Sequence, residues 1–205
     1  VKEDAPGLLR EKLMSRAWTG EYIVFSGNTD CYQPKERELE ITRRCLQVMA
    51  EFRNPFAMIT KNALVTRDID LIAPMAKLNA AFITVSVTTL DDKLCAVLEP
   101  RTSRPRARLE AIRKLSEAGI PVSVNVAPII PGLTDHETPE ILAQAKAAGA
   151  VSAGMTVLRL PLAVAPVFEE WLSVHRPERK EKVLSLIRDV RGGKLNDANF
   201  GSRFR

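Results

Sequence analysis

The chain has 205 residues, 45% hydrophobic and 27% charged. That suffices for one sizeable core and is unlike a disordered, collagen-like or disulfide-stapled chain. Thirty Lys and Arg against 25 Asp and Glu give a formal charge of +5, a mild basic bias compatible with a polyanionic partner.

The first residues, VKEDAPGLL, carry no apolar stretch behind a basic start, and no run of about 18 apolar residues occurs, so neither a signal peptide nor a membrane span is read. With three cysteines and no secretion signal, a cytoplasmic, reducing location is expected. Taken in order, Tyr22–Ser26 (YIVFS) reads as a buried strand that exits into GNTDCYQP. Pro34 at a first helical position, followed by Glu36 and Glu38, predicts one helix to Phe52. Its buried stripe is Ile41, Cys45, Met49 and Phe52. Phe56–Thr60 (FAMIT) is the next strand, ending at Lys61 and Asn62, with a helix from Arg67 to Leu78. Ala81–Val87 is a strand ending at Thr88 and Thr89. A short helix over Leu90–Leu98, a polar loop and a helix over Arg106–Ala118 follow. Pro121–Ile130 is a strand leaving through PGLTD to a helix ending at Ala148. Val151–Leu160 is the last strand, and helices follow over Val164–Ser173 and Glu178–Arg191. The final residues, GGKLNDANFGSRFR, carry no clear pattern.

Near-continuous apolar strands alternating with helices predict an α/β fold with a parallel sheet, either a doubly wound open sheet or a full or partial barrel. No GxGxxG follows the first strand and no GxxxxGK[ST] occurs, so neither a dinucleotide fingerprint nor a P-loop is present. In both architectures ligands sit at the carboxyl ends of the strands. The polar clusters fall there: Ser26–Gln33, Lys61 with Asn62, Ser86–Thr89, and Pro128–Asp135.

His136 and His175 lie away from any Ser or Cys at a strand end, which argues against a histidine triad, and no His/Cys cluster has zinc spacing. Cys45 and Cys95 read as packing residues, while Cys31 stands in the first strand-end loop beside Asp30. Asp30 and Glu36 suit either ligand contact or holding the loop and helix start. Lys61 would carry its ammonium to the sheet mouth. The segment EPRTSRPRAR, with four arginines, reads as a basic surface loop or an anion clamp.

Four blocks in order then carry a resemblance. SGNTDCYQPKERE (Ser26–Glu38), ITKNALVTRDIDLI (Ile59–Ile72), SVTTLDDKL with LEPRTSRPRARL (Ser86–Leu109), and AGIPVSVNVAPIIPGLTD (Ala118–Asp135) resemble radical S-adenosylmethionine enzymes related to spore photoproduct lyase. The resemblance runs along essentially the whole chain. It implies a partial (β/α)6 barrel with C-terminal helices, binding S-adenosylmethionine at the strand ends beside a [4Fe–4S] cluster. The resemblance further implies that a 5′-deoxyadenosyl radical abstracts hydrogen, that nucleic acid is the substrate by analogy, and that an external electron donor reduces the cluster. It implies a barrel core over residues 1–160, a helical extension over 161–205, and five strands standing for the second to sixth of six.

Carried onto this sequence, the resemblance implies that Ser26, Asn28, Thr29 and Asp30 hold the amino group of S-adenosylmethionine, and that Lys61 pairs with its carboxylate. Ser86 contacts ribose or carboxylate, Arg101 adds a second cation, and backbone around Ala127 and Pro131 meets the adenine. Cys31 does not align with the family's hydrogen-donating cysteine and is a candidate donor only by its place beside this loop. The family's CxxxCxxC loop is absent, and since the chain starts at Val1 the expectation is that this segment lies upstream, with no metal ligand here and no cleavage of S-adenosylmethionine by the chain as given. Two other readings stand beside this one: a barrel lyase or aldolase using Lys61 as a Schiff-base amine, and a non-catalytic nucleic-acid-binding module built on the arginine-rich loop. The helices after Ala163 would cross the open side or cover the mouth, anchored by Phe168, Trp171, Leu184 and Ile187.

Overall fold

A computed structural model describes residues 4–196. Five strands, β1 (Ile23–Phe25), β2 (Phe56–Thr60), β3 (Ala81–Ser86), β4 (Val122–Ile129) and β5 (Ser152–Val157), form one sheet in sequential order with every neighbouring pair parallel. The helices are α1 (Ala5–Met14), α2 (Glu36–Leu39), α3 (Ile41–Phe52), α4 (Ile69–Lys77), α5 (Asp92–Leu98), α6 (Pro105–Glu117), α7 (Thr138–Ala147), α8 (Val164–His175) and α9 (Lys180–Val190).

Strand order decides between the two expected architectures. A doubly wound sheet reverses direction at a switch point and buries both faces. Here the order runs β1 to β5 without reversal. Phe56, Met58, Ile83, Val85, Val122, Val124 and Val126 share one face and one core with residues of α3, α4, α6 and α7. The alternate residues stay open: Val24 is 52% exposed and Ile59 40%. Helices on one side and an open face on the other are the singly wound, barrel-type arrangement.

The predicted helix from Pro34 to Phe52 is two helices. Glu40 takes a left-handed φ of 49° between α2 and α3. The Glu36 carboxylate, buried, accepts from the backbone N–H groups of Thr42 and Arg43 at the start of α3. An acidic side chain read as favouring its own helix start therefore caps the next one. The helix predicted from Arg67 begins as a 3₁₀ turn over Ala63–Asp68 and becomes α-helical at Ile69. Helix α1 was not anticipated; its Leu13 joins the main core.

A second core joins α8 and α9 to the body. Phe168, Leu172, Val183, Leu184 and Ile187 pack with Leu94 of α5 and with Ile130 and Leu133 beyond β4, and Trp171 donates to the Val97 carbonyl at 3.1 Å. The C-terminal helices thus rest on the carboxyl end of the sheet at β3 and β4. Of the final residues without a pattern, 197–205 lie outside the described part.

Candidate functional site

Pleating and register align a row of residues on the open face. Ser86 pairs with Asn125, and Asn125 with Gly154. Lys61 follows Thr60, the partner of Val85, and so stands beside Ser86. Lys61, Ser86, Asn125 and Gly154 are therefore level neighbours across β2 to β5. Ser86 is buried, and neither its hydroxyl nor the Asn125 amide bonds another side chain or backbone group among the described residues. Gly154 leaves space beside Asn125: a Cβ there would stand 3.4 Å from Asn125 Oδ1.

The loop after β1 is built for rigidity. Ser26 holds a left-handed φ of 73°, rare for a residue with a side chain, and its hydroxyl accepts from the Cys31 N–H at 3.1 Å. Asp30 Oδ1 accepts from the Tyr32 N–H at 2.9 Å and the Thr60 hydroxyl at 2.8 Å. Its Oδ2 accepts from the Lys61 N–H at 2.7 Å. Asp30 thus fastens the β1 loop to the end of β2. Asn28 and Thr29 are exposed in the same loop. Asp30 also lines a cavity of about 410 Å³ with Tyr32, Lys35, Asn62 and Arg101, so the exposed Arg101 does face the strand-end loops.

The ammonium of Lys61 donates to Thr88 Oγ1 at 3.2 Å and to the carboxylate of Glu99. Glu99 is held in turn by Arg108 at 2.7 Å. Arg108 is 1% exposed and also donates to the carbonyls of Ser103, at 2.7 Å, and Ser86, at 3.0 Å. Burial alone would push the Glu99 carboxyl up, but Lys61 and Arg108 outweigh it, and the group sits below its ordinary value. The Thr88 hydroxyl lies 2.8 Å from the Ala127 carbonyl and 2.9 Å from Glu99, its one hydrogen serving one acceptor at a time. A third carboxylate, Glu137, accepts from the Thr89 hydroxyl at 2.7 Å and from the Leu90 N–H, tying the loop after β4 to that after β3. Asp30, Glu99 and Glu137 staple consecutive strand-end loops around the mouth.

Other expected positions lie elsewhere. Pro131 is buried, and its neighbours Ile130, Gly132 and Leu133 pack on α9. Ala127 stands where pairing between β4 and β5 is irregular, between Val126 and Ile129. The Cys31 thiol lines a cavity on the α3 side with Thr42 and Cys45, and burial, only partly offset by the hydrogen bond with Ser26, pushes it up to about 12. Of the four arginines in EPRTSRPRAR, Arg108 is a buried keystone and Arg104 donates to the Asp92 carbonyl at 3.0 Å. Sequence reading passed over Glu99, Arg108 and Asn125. Glu99 and Arg108 stood only as the ends of the segment read as a basic loop or anion clamp, and Asn125 as the one amide within the apolar run VSVNVAP.

The residues present do not fit an iron–sulfur cluster, which takes three or four converging thiolates. Cys31, Cys45 and Cys95 lie on the β1 loop, α3 and α5, and among the described residues no group of three His, Cys, Asp or Glu could hold a metal ion. They do fit a small ligand bearing a carboxylate. Lys61, Glu99 and Arg108 carry charges of +1, −1 and +1, leaving one positive charge beside unbonded hydroxyl and amide groups.

A family model described as the Radical SAM superfamily matches residues 6–145. A protein of Mycobacterium tuberculosis is 32% identical over 190 residues, 92% of this chain and 56% of that protein. One of Methanocaldococcus jannaschii is 30% identical over 137 residues, 67% of this chain and 49% of its own length. The chain thus spans about half the length of these relatives. Among solved structures, spore photoproduct lyase complexed with dinucleoside spore photoproduct superposes with a TM-score of 0.59 at 16% identity, covering 93% of this chain and 64% of that one. That likeness establishes a shared fold, the partial barrel expected from the sequence. Among the described residues no helix is long and apolar enough to cross a membrane.

Proposed function

The chain belongs to the radical SAM superfamily, and on that premise we propose that its strand ends form the S-adenosylmethionine cradle of an enzyme acting on nucleic acid. The observation that carries this reading is the level row Lys61, Ser86, Asn125 and Gly154, with the Lys61 ammonium at one end and free hydrogen-bonding groups along it. In this assignment the Lys61 ammonium holds the ligand carboxylate, with Arg101 as a second cation at the rim. The β1 loop, through Ser26, Asn28 and Thr29, receives the amino group, with Asp30 fastening that loop to the end of β2. Ser86 and Asn125 face the ribose, and backbone near Ala127 borders the adenine, Pro131 being turned into the packing against α9. Bound there, S-adenosylmethionine would supply hydrogen-atom abstraction, given an external electron donor; the residues described here would bind and orient it.

A nucleic-acid substrate is supported by the +5 charge and by the nucleoside ligand of the structurally similar lyase. The aldolase reading is disfavoured: a Schiff-base amine must be free to attack, whereas Lys61 is ion-paired with Glu99. The decisive experiment is equilibrium binding of S-adenosylmethionine to the full-length protein. Saturable binding, weakened at least ten-fold by Lys61→Met, is expected. Equal binding by that variant would overturn the assignment, and an oligonucleotide that fails to bind at any salt concentration would remove the substrate class.

A further inference from the structure

We propose that Glu99 is a positioning residue for Lys61, fixing its ammonium so that one N–H is presented to the carboxylate of the bound ligand. This rests on the reading of Lys61 as the carboxylate-binding residue.

An ammonium has three donors and rotates on a flexible stem. In Lys61 two of the three are occupied, by Glu99 and by Thr88 at 3.2 Å, while the side chain keeps 27% of its surface exposed. The third donor is left for the mouth. Glu99 cannot follow a moving lysine, because Arg108 grips its other oxygen at 2.7 Å. Arg108 is locked in turn by the Ser103 and Ser86 carbonyls and the Thr102 hydroxyl. The chain of contacts runs from the Ser86 carbonyl, on a strand of the row itself, through Arg108 and Glu99 to Lys61. Holding a rotamer-rich side chain before the ligand arrives removes an ordering cost from binding. Charge gives a second reason for the pair. Arg108 and Glu99 cancel, so the pair holds the lysine without adding net charge of its own.

The test uses full-length protein and two ligands that share the nucleoside. S-adenosylhomocysteine carries the amino-acid carboxylate; methylthioadenosine does not. The double variant Glu99→Met/Arg108→Met removes one negative and one positive charge, so the net charge is unchanged while Lys61 loses its anchor. Affinity for S-adenosylhomocysteine should fall about five-fold, with methylthioadenosine unchanged. Thr88→Val, which spares the buried pair, should give a smaller loss of the same selective kind, and it decides the matter if the double variant fails to fold. A parallel loss for both ligands would mean a structural role only, and no loss for S-adenosylhomocysteine would equally overturn the proposal. Lys61→Met separates the two levels. If it leaves S-adenosylhomocysteine binding intact, the carboxylate reading and the positioning role fall together. If it selectively weakens that ligand while the Glu99 and Thr88 variants do not, only the positioning role falls.

Discussion

The phenol of Tyr32, wholly buried, donates to the carboxylate of Asp68 at 2.9 Å. The same carboxylate takes Arg43 at 2.8 Å and two nitrogens of Arg67 at 2.8 Å each. Asp68 is wholly buried, and these partners satisfy its oxygens. Tyr32→Phe removes one donor and leaves both guanidiniums in place, and should cost about 1 kcal/mol. Asp68→Ala leaves the buried phenol without its acceptor and takes one carboxylate from Arg67, which keeps Glu36, and should cost about 2–3 kcal/mol. Urea unfolding of the two variants measures the difference.

Asp30 is needed as an acceptor on both oxygens. Asp30→Asn would turn an NH2 group toward N–H or O–H donors of Tyr32, Thr60 or Lys61. The expected destabilisation is about 1–3 kcal/mol. The expected functional effect is larger, because the β1 loop would detach from β2. Binding of S-adenosylmethionine set beside chemical unfolding reads both.

The buried thiols make the fold sensitive to alkali. Burial raises Cys31 from 9.0 to about 12 and Cys45 from 9.0 to about 11. Between the ordinary and raised values the unfolded chain has lost a proton that the native chain keeps, so stability falls as pH rises from about 9. Cys31→Ala/Cys45→Ala should flatten that decline. Both native thiols should also resist iodoacetamide at pH 8 and react once the chain is unfolded in urea.

Glu99 makes the complementary contribution in acid. Its carboxyl lies below the ordinary value because Lys61 and Arg108 overcome the effect of burial. A depressed carboxyl stabilises the native state above its unfolded value of about 4.3, and that contribution is lost as pH falls through the folded value. Unfolding free energy measured from pH 7 down to pH 3 should fall less steeply in Glu99→Gln, which starts from a lower plateau.

Asn125 offers a separable test of ligand contact. Its amide bonds nothing among the described residues, so Asn125→Ala should change stability by no more than about 0.5 kcal/mol. If the amide faces the ribose, the same substitution should weaken S-adenosylhomocysteine by about 1 kcal/mol, five-fold. Gly154→Val, which fills the adjoining place in the row, should weaken it as well. Calorimetric titration of both variants with unaltered thermal unfolding is the expected pattern.

Much of the fold was legible because burial repeats along the chain. FAMIT and AFITVS became β2 and β3 with their apolar sides on the helices, and the polar residues that ended each strand did fall at one end of the sheet. The break at Glu40 was hidden, since its cause is the Glu36 carboxylate reaching six and seven residues ahead to cap α3. Lys61 was legible as a lysine at a strand end. The pairing of Glu99 with Arg108 was not, because the charged segment from the end of α5 into the first turn of α6 has the composition of any solvated surface.

The sequence by itself determined what recurs locally: five parallel-type strands, the helices between them, and the strand-end loops whose four ordered blocks placed the chain among radical S-adenosylmethionine enzymes. Periodicity and turn chemistry act over a few residues, so a chain read in order contains them. Only the tertiary structure decided that the helices cover one face, that Asp30 is committed to fastening a loop, and that a buried arginine 47 residues beyond Lys61 governs the lysine's surroundings through Glu99. Those relationships depend on how strands align and how buried charges find partners, and both are settled by the whole chain at once.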